Sequence, residues 1–243
     1  MNSFWFLLKR WFIEMGSPPL FFNWSSKIVT WLGISALSFL LLGLYWGLIL
    51  APPDYKQGDV FRILYIHVPS AIMGESIFIF MALCGFINII WRAKISGMLL
   101  KAAAPIGMSF VLLTLLTGSI WGKPTWGTWW VWDARLTSVA ILFIIYLIII
   151  FMNLSFENRI VREKVVAIFI IVGSVNLPIV KFSVDWWNTL HQPATISKLS
   201  KPSIDPSMMT PLIIMTFAFI MIGIAIAILR IKTEIISRKS YLS

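Results

Sequence analysis

Leu136-Thr-Ser-Val-Ala-Ile-Leu-Phe-Ile-Ile-Tyr-Leu-Ile-Ile-Ile-Phe-Met-Asn-Leu154 contains no charge, no proline and no glycine. It runs for about 20 residues, the length at which a helix rising about 1.5 Å per residue crosses a hydrocarbon core of roughly 30 Å. Apolar and polar residues do not alternate along it as they would in a barrel strand. The spanning form is therefore a helix, which satisfies its backbone polar groups within its own segment. Outward from this stretch, five further runs of the same character fall at about Ile28 to Leu50, Val68 to Trp91, Leu99 to Ile120, Val165 to Phe182 and Met208 to Leu229. The sequence predicts an all-α polytopic membrane protein with six transmembrane helices. Composition agrees: 59% of residues are hydrophobic and 12% charged, against roughly 25% charged in a soluble domain. The longest gap between runs, Ser183 to Ser207, falls far short of the 50 residues or so of a small domain.

Orientation follows from the cations, because Lys and Arg in short loops stay preferentially on the cytoplasmic side. Lys9, Arg10 and Lys27 precede the first run, and Arg92, Lys94 and Lys101 sit between the second and third. Arg159, Arg162 and Lys164 separate the fourth from the fifth, and Arg230, Lys232, Arg238 and Lys239 follow the sixth. Opposite them are only Lys56, Arg62, Lys123, Arg135, Lys198 and Lys201. Both termini are expected in the cytoplasm. Topology and anionic membrane lipid then account for the net charge of +10, with no need of nucleic acid.

Three parts result: a cytoplasmic N-terminal segment 1–27, a membrane domain 28–230 with outer loops 51–67, 121–135 and 183–207, and a cytoplasmic tail 231–243. Phe4 to Phe12 reads either as an amphipathic stretch on the inner leaflet or as a mobile tail, and its apolar residues precede its cations, the reverse of a secretory signal. Prolines 52, 53, 69, 124, 193, 202 and 206 gather in or beside the outer loops. No internal repeat or pair of inverted halves is visible, which argues against a secondary-transporter fold. The single cysteine, Cys84, lies inside the second run, so an internal disulfide, a CxxC redox pair and a cysteine metal site are all excluded.

On the outer side, tryptophan recurs in Trp121-Gly-Lys123-Pro-Thr-Trp126-Gly-Thr-Trp129-Trp130-Val-Trp132-Asp133-Ala-Arg135. Lone interfacial tryptophans anchor helices at headgroup level. A cluster spaced by Gly122 and Gly127 instead suggests a broad apolar shelf for something planar. If the second part is helical, Trp126, Trp129, Trp130 and Asp133 share one face. Asp133 is expected to order the loop by accepting N–H groups. Both histidines, His67 and His191, fall on this same side. Each reads either as an interfacial histidine bonded at a helix end or as a ligand. Two imidazoles make a poor zinc site but suffice as axial ligands of haem iron, whose other four ligands come from the porphyrin. Arg62, Lys123 and Arg135 are candidates for haem propionates or ordinary interfacial cations. Glu75, about 12 Å below His67 along its helix, must face protein or water, through a partner-helix contact or a structural hydrogen bond.

The segment from Trp121 to Asp133 is similar to the tryptophan-rich signature of the haem-handling proteins of cytochrome c biogenesis. Arg62-Ile-Leu-Tyr-Ile-His67-Val-Pro-Ser-Ala, Trp132-Asp-Ala-Arg135-Leu-Thr-Ser138 and Trp186-Trp187-Asn-Thr-Leu-His191-Gln-Pro193 resemble the haem exporter protein C (CcmC) family in particular. The likeness extends from about Lys27 to Leu229, and the short chain with six runs fits this branch, since the related ones are longer and richer in histidine. The resemblance implies a protein of the bacterial or mitochondrial inner membrane that binds haem b, as transient cargo, at the periplasmic face and delivers it to a periplasmic haem chaperone. It implies His67 and His191 as axial ligands of the iron. Trp121, Trp126, Trp129, Trp130, Trp132 and Asp133 would form the platform, with Arg62 and Arg135 in the same region. Expected partners are the ATP-binding and permease subunits of an ABC transporter complex, a small single-span subunit and the chaperone. Two other readings remain beside it: a haem lyase-like enzyme, which the short chain with no sizeable outer domain disfavours, and a transmembrane haem transporter, for which few polar side chains line a path. An enzymatic role is not favoured, although the chain could assist covalent attachment of haem to the chaperone.

Overall fold

The computed structural model describes residues 17–192 and 204–240. The expected amphipathic stretch Phe4 to Phe12, together with Pro193, Lys198, Lys201 and Pro202, lies outside the described residues. Helix α1 spans Pro18–Tyr45 and continues as a π-helical turn over Trp46–Leu50; a 3-10 turn, Asp59–Ile63, leads into α2, Leu64–Trp91. Then follow α3 (Lys94–Trp126), α4 (Ala134–Ser155), α5 (Arg159–Gly173), α6 (Asn176–Trp186) and α7 (Pro206–Ser240). Among the described residues, six helical segments are long and apolar enough to cross a bilayer, α5 and α6 together making the fifth. The chain is an all-α polytopic membrane protein.

Local chemistry sets the ends. Pro18 and Pro19 open α1 at positions whose N–H groups have no helical partner. Asn158 caps α5 by accepting from the Ile160 and Val161 N–H groups, and Arg92 closes α2 in a left-handed conformation with φ 49°. The apolar run Val165 to Phe182 predicts one continuous helix, but the fifth span breaks between Gly173 and Asn176. Pro178 has no N–H to give to the Ser174 carbonyl, so the helical ladder cannot pass through this turn. The Asn176 amide donates instead to the Ser138 carbonyl of α4 at 2.9 Å, pinning the break to its neighbour.

Helices α2 and α3 form the centre, with α4 and α5 on one side and α7 on the other; α1 packs on α7. In the most apolar stretch of α1 only 11% of residues are buried, against 50% in α3, so α1 is the helix most open to lipid. Without a hydrophobic drive between helices in lipid, close packing around small residues carries the association. Tyr146 of α4 shows this. Its ring packs against Gly107 of α3 so closely that a Cβ there would overlap it, its hydroxyl donates to the Gly74 carbonyl of α2 at 2.8 Å, and Phe78 meets it edge-on.

At the end of the bundle remote from the tryptophan-rich segment, charges are paired between helices. Lys101 of α3 meets Glu234 of α7 at 2.7 Å, and Arg238 bonds both Glu234 at 2.9 Å and Glu163 of α5 at 3.0 Å. Gly97 leaves the room that the Glu163 carboxylate fills.

Candidate functional site

Helix α3 runs well past the apolar stretch that predicts it, through Trp121 and on to Trp126. It stops at Gly127, which takes φ +79° and donates its N–H to the Lys123 carbonyl at 3.1 Å. From there the chain is irregular to Asp133, which accepts the Leu136 N–H and caps α4. The shared helical face expected for Trp126, Trp129, Trp130 and Asp133 is therefore not formed: Trp126 ends one helix and Asp133 begins the next.

His67 sits in the first turns of α2 and is buried, with 9% of its surface exposed. Its Nδ1 lies 3.0 Å from Thr117 Oγ1 of α3, and that hydroxyl donates its only proton to the Leu113 carbonyl at 2.6 Å. Thr117 must therefore accept, and Nδ1 carries the imidazole proton. Nε2 is left with its lone pair. Gly118 lies alongside, where a Cβ would come within 3.0 Å of His67 Cε1. Trp121 closes the other side edge-on, 5.6 Å between ring centroids, and is itself held by a bond from its Nε1 to Gln57 Oε1 at 2.7 Å.

His191, half-buried beyond α6, reaches the same tautomer by a different route. Its Nδ1 lies 2.8 Å from the Gln192 carbonyl, which can only accept, so Nδ1 is again the protonated nitrogen and Nε2 again keeps its lone pair. Burial and then the nearby Arg135 guanidinium hold its pKa below the ordinary 6.5, against the opposing pull of the Gln192 carbonyl and Asp133, so the ring is neutral at pH 7. The His191 backbone N–H donates to Thr189 Oγ1 at 3.0 Å, and the Thr189 hydroxyl donates to Asp133 Oδ2. Asp133 Oδ1 accepts the Leu136 N–H at 2.8 Å. One carboxylate thus ties the end of the tryptophan-rich segment to the turn that carries His191.

The tryptophans divide into two groups. Trp121 lies against His67, and Trp126 lies 6.4 Å from the His191 ring. Trp129 and Trp132 face outward, 56% and 82% exposed, with the Lys123 ammonium 6.0 Å from the Trp129 ring. Trp130, half-buried and edge-on to Trp132, keeps a buried Nε1–H with no partner among the described residues.

Arg62 bonds Asp59 Oδ1 at 2.8 Å and the Gly47 carbonyl at 3.2 Å, while Arg135 donates to the Val180 carbonyl at 2.7 Å. Each guanidinium has five N–H donors, so these bonds orient the groups without exhausting them. Glu75 lies within electrostatic reach of Arg135 on α4 and Lys181 on α6. Thr117, Gly118, Gln57 and Thr189 support the site without having been singled out in the sequence. Thr189 falls inside a motif quoted above and Thr117-Gly118 just ahead of another, whereas nothing around Gln57 points to Trp121.

Among the described residues, no three His, Cys, Asp or Glu side chains converge as a metal site. The two free Nε2 atoms suit a metal that brings its other ligands with it, as haem iron does.

A family model described as Heme exporter protein C matches residues 11–242. The chain is 40% identical over 227 residues to the Heme exporter protein C of Bradyrhizobium diazoefficiens, covering 93% of this chain and 86% of that one. Against the Heme exporter protein C of Escherichia coli K12 it is 40% identical over 223 residues, 92% and 90% of the two chains. A Marchantia polymorpha protein named Putative cytochrome c biosynthesis ccmC-like mitochondrial protein is 44% identical over 196 residues, 81% of this chain and 83% of that one.

Proposed function

The chain belongs to the haem exporter protein C family, and on that premise we propose that it holds haem between His67 and His191 and passes it to a periplasmic haem chaperone during c-type cytochrome maturation. The observation that carries this reading is the shared tautomer. Both imidazoles give their Nδ1 proton to fixed oxygen acceptors, which orients each ring and leaves Nε2 available to iron, the arrangement by which metal-binding histidines are held.

The surrounding residues suit a porphyrin. Trp121 and Trp126 offer indole surface beside the two ligands. The buried Trp130 N–H, without a partner among the described residues, is a donor to which a propionate oxygen offers an acceptor. Remaining guanidinium donors of Arg62 and Arg135 answer the same charge. Asp133 acts within the protein, as cap and bridge, and no bond-making role falls to any of these side chains.

In this reading the cargo is haem b and the site lies on the outer face of a bacterial or mitochondrial inner membrane. Both termini are inside, where the loops rich in Lys and Arg belong. The exposed Trp129 and Trp132 receive the chaperone, and the ABC transporter subunits with the small single-span subunit complete the assembly. Absorption spectra of the purified chain loaded with haem test the ligands. A low-spin bis-histidine spectrum is expected, and its survival after replacement of both His67 and His191 by Ala would overturn the proposal.

A further inference from the structure

Resting on that reading, we infer that Asp133 and Thr189 form a positioning pair for His191, and that through this pair the tryptophan-rich loop sets whether His191 can hold iron. The two histidines are not mounted alike. His67 belongs to α2 and its ring is clamped by Thr117, Gly118 and Trp121, all on the neighbouring long helix α3. His191 lies in an irregular turn after the short helix α6. What places its backbone is a directed chain of bonds. The His191 N–H donates to Thr189 Oγ1, and the Thr189 hydroxyl donates to Asp133 Oδ2, since a carboxylate can only accept.

Asp133 is the residue through which a force on the loop reaches that chain. Trp132, 82% exposed, immediately precedes it, and Trp129 is also exposed. Asp133 Oδ1 is fixed to the head of α4 by the Leu136 N–H. A protein that grips the exposed rings pulls on Asp133, and a shift of the carboxylate withdraws the acceptor that orients Thr189. The His191 turn is then free to move, whereas nothing in this chain of bonds touches His67. Handover accordingly begins at one axial position: the bond from iron to His191 Nε2 opens, its electron pair returns to the nitrogen, and the vacated position accepts a ligand from the incoming protein. His67 retains the haem meanwhile.

The test uses the full chain in detergent, loaded with haemin, and reads spin state by visible absorption and electron paramagnetic resonance, with carbon monoxide binding after reduction. Thr189→Val is expected to lose the low-spin signature, to acquire the spectrum of His191→Ala, and to bind haem roughly tenfold more weakly, as outer-shell changes at metal sites do. Thr189→Ser retains the hydroxyl and should match the parent. Asp133→Asn guards against simple misfolding, because Asn caps a helix as well as Asp does yet offers Thr189 an amide N–H in place of an acceptor; it should behave as Thr189→Val with helix content unchanged. If Thr189→Val and Asp133→Asn keep the low-spin spectrum while His191→Ala loses it, the positioning pair is refuted and the ligand assignment stands. A low-spin spectrum that persists in His191→Ala overturns the ligand assignment itself, and the inference with it.

Discussion

Thr117 Oγ1 accepts from His67 Nδ1 at 3.0 Å while giving its own proton to the carbonyl one turn back on α3. The threonine thereby fixes both the tautomer and the tilt of a buried imidazole. Thr117→Val keeps the shape and removes the acceptor. Haem binding to this variant should weaken by about tenfold or more, whereas Thr117→Ser should bind like the parent. Titration of the purified variants with haemin, followed at the Soret band, checks this, and equal affinity for Val and parent would exclude the lock.

His191 supplies a pH dependence. Burial and Arg135 both disfavour its imidazolium, so its pKa lies below 6.5 in the folded chain. The unfolded state then binds the proton more readily. The stability contributed by the neutral ring is complete above about pH 6.5 and is lost as pH falls through the depressed folded value. Nuclear magnetic resonance of haem-free protein should show a His191 titration midpoint under 6.5. A midpoint at or above that value would contradict the account.

The division among the tryptophans predicts two phenotypes. Trp121→Ala strips one wall from His67 and releases Gln57, so haem binding itself should fall. Trp129→Ala combined with Trp132→Ala removes only outward-facing rings. That double variant should load haem normally yet fail to pass it to the chaperone. Loss of membrane insertion in the double variant would instead mark the rings as interfacial anchors.

Packing around Tyr146 can be probed apart from function. Gly107→Ala drives a methyl into the ring and its hydroxyl, and overpacking of a core costs about 1–3 kcal/mol. Gly33, where an added Cβ meets nothing within 4 Å, is the matched control. Thermal unfolding in detergent should show Gly107→Ala melting lower than the parent and Gly33→Ala close to it.

Sidedness is accessible through the single cysteine. Cys84 is buried, 4% exposed, and should stay silent to a membrane-impermeant maleimide. Tyr55, 88% exposed at the tryptophan-rich end, replaced by Cys should be labelled from the periplasm in intact spheroplasts. Labelling only after lysis would invert the topology.

The six spans were legible because each is a long apolar run, and hydrophobicity decides crossing with little help from tertiary contacts. Their ends were not, because Trp121 to Trp126 are interfacial residues that hydropathy ends on while the backbone stays helical until Gly127 permits a left-handed stop. The break ahead of Pro178 is marked in the sequence by Gly173, Ser174, Asn176 and Pro178, but hydropathy averaged over Val165 to Phe182 passes over these few positions. At the site, the histidines and tryptophans could be singled out as rare residue types in dense motifs. Their supports could not. Thr117, Gln57 and Thr189 are ordinary polar residues whose meaning comes from what they meet across 50, 64 and 56 positions of chain. Likewise, the use of Arg135 on the Val180 carbonyl depends on how α4 approaches α6, which no local pattern records.

The ion pairs at the far end of the bundle join Lys101 and Glu163 to Glu234 and Arg238. During synthesis the first two leave the ribosome long before the last two. Until α7 inserts, Glu163, 18% exposed in the complete bundle, lacks Arg238 and keeps only Arg159, 3.9 Å away on its own helix. Insertion of α7 thus completes the ion-pair cluster, and a nascent chain released before Glu234 should be cleared by membrane quality control faster than one carrying an equally large deletion within the loop that follows α6. Pulse-chase turnover of the two truncated forms measures that difference directly.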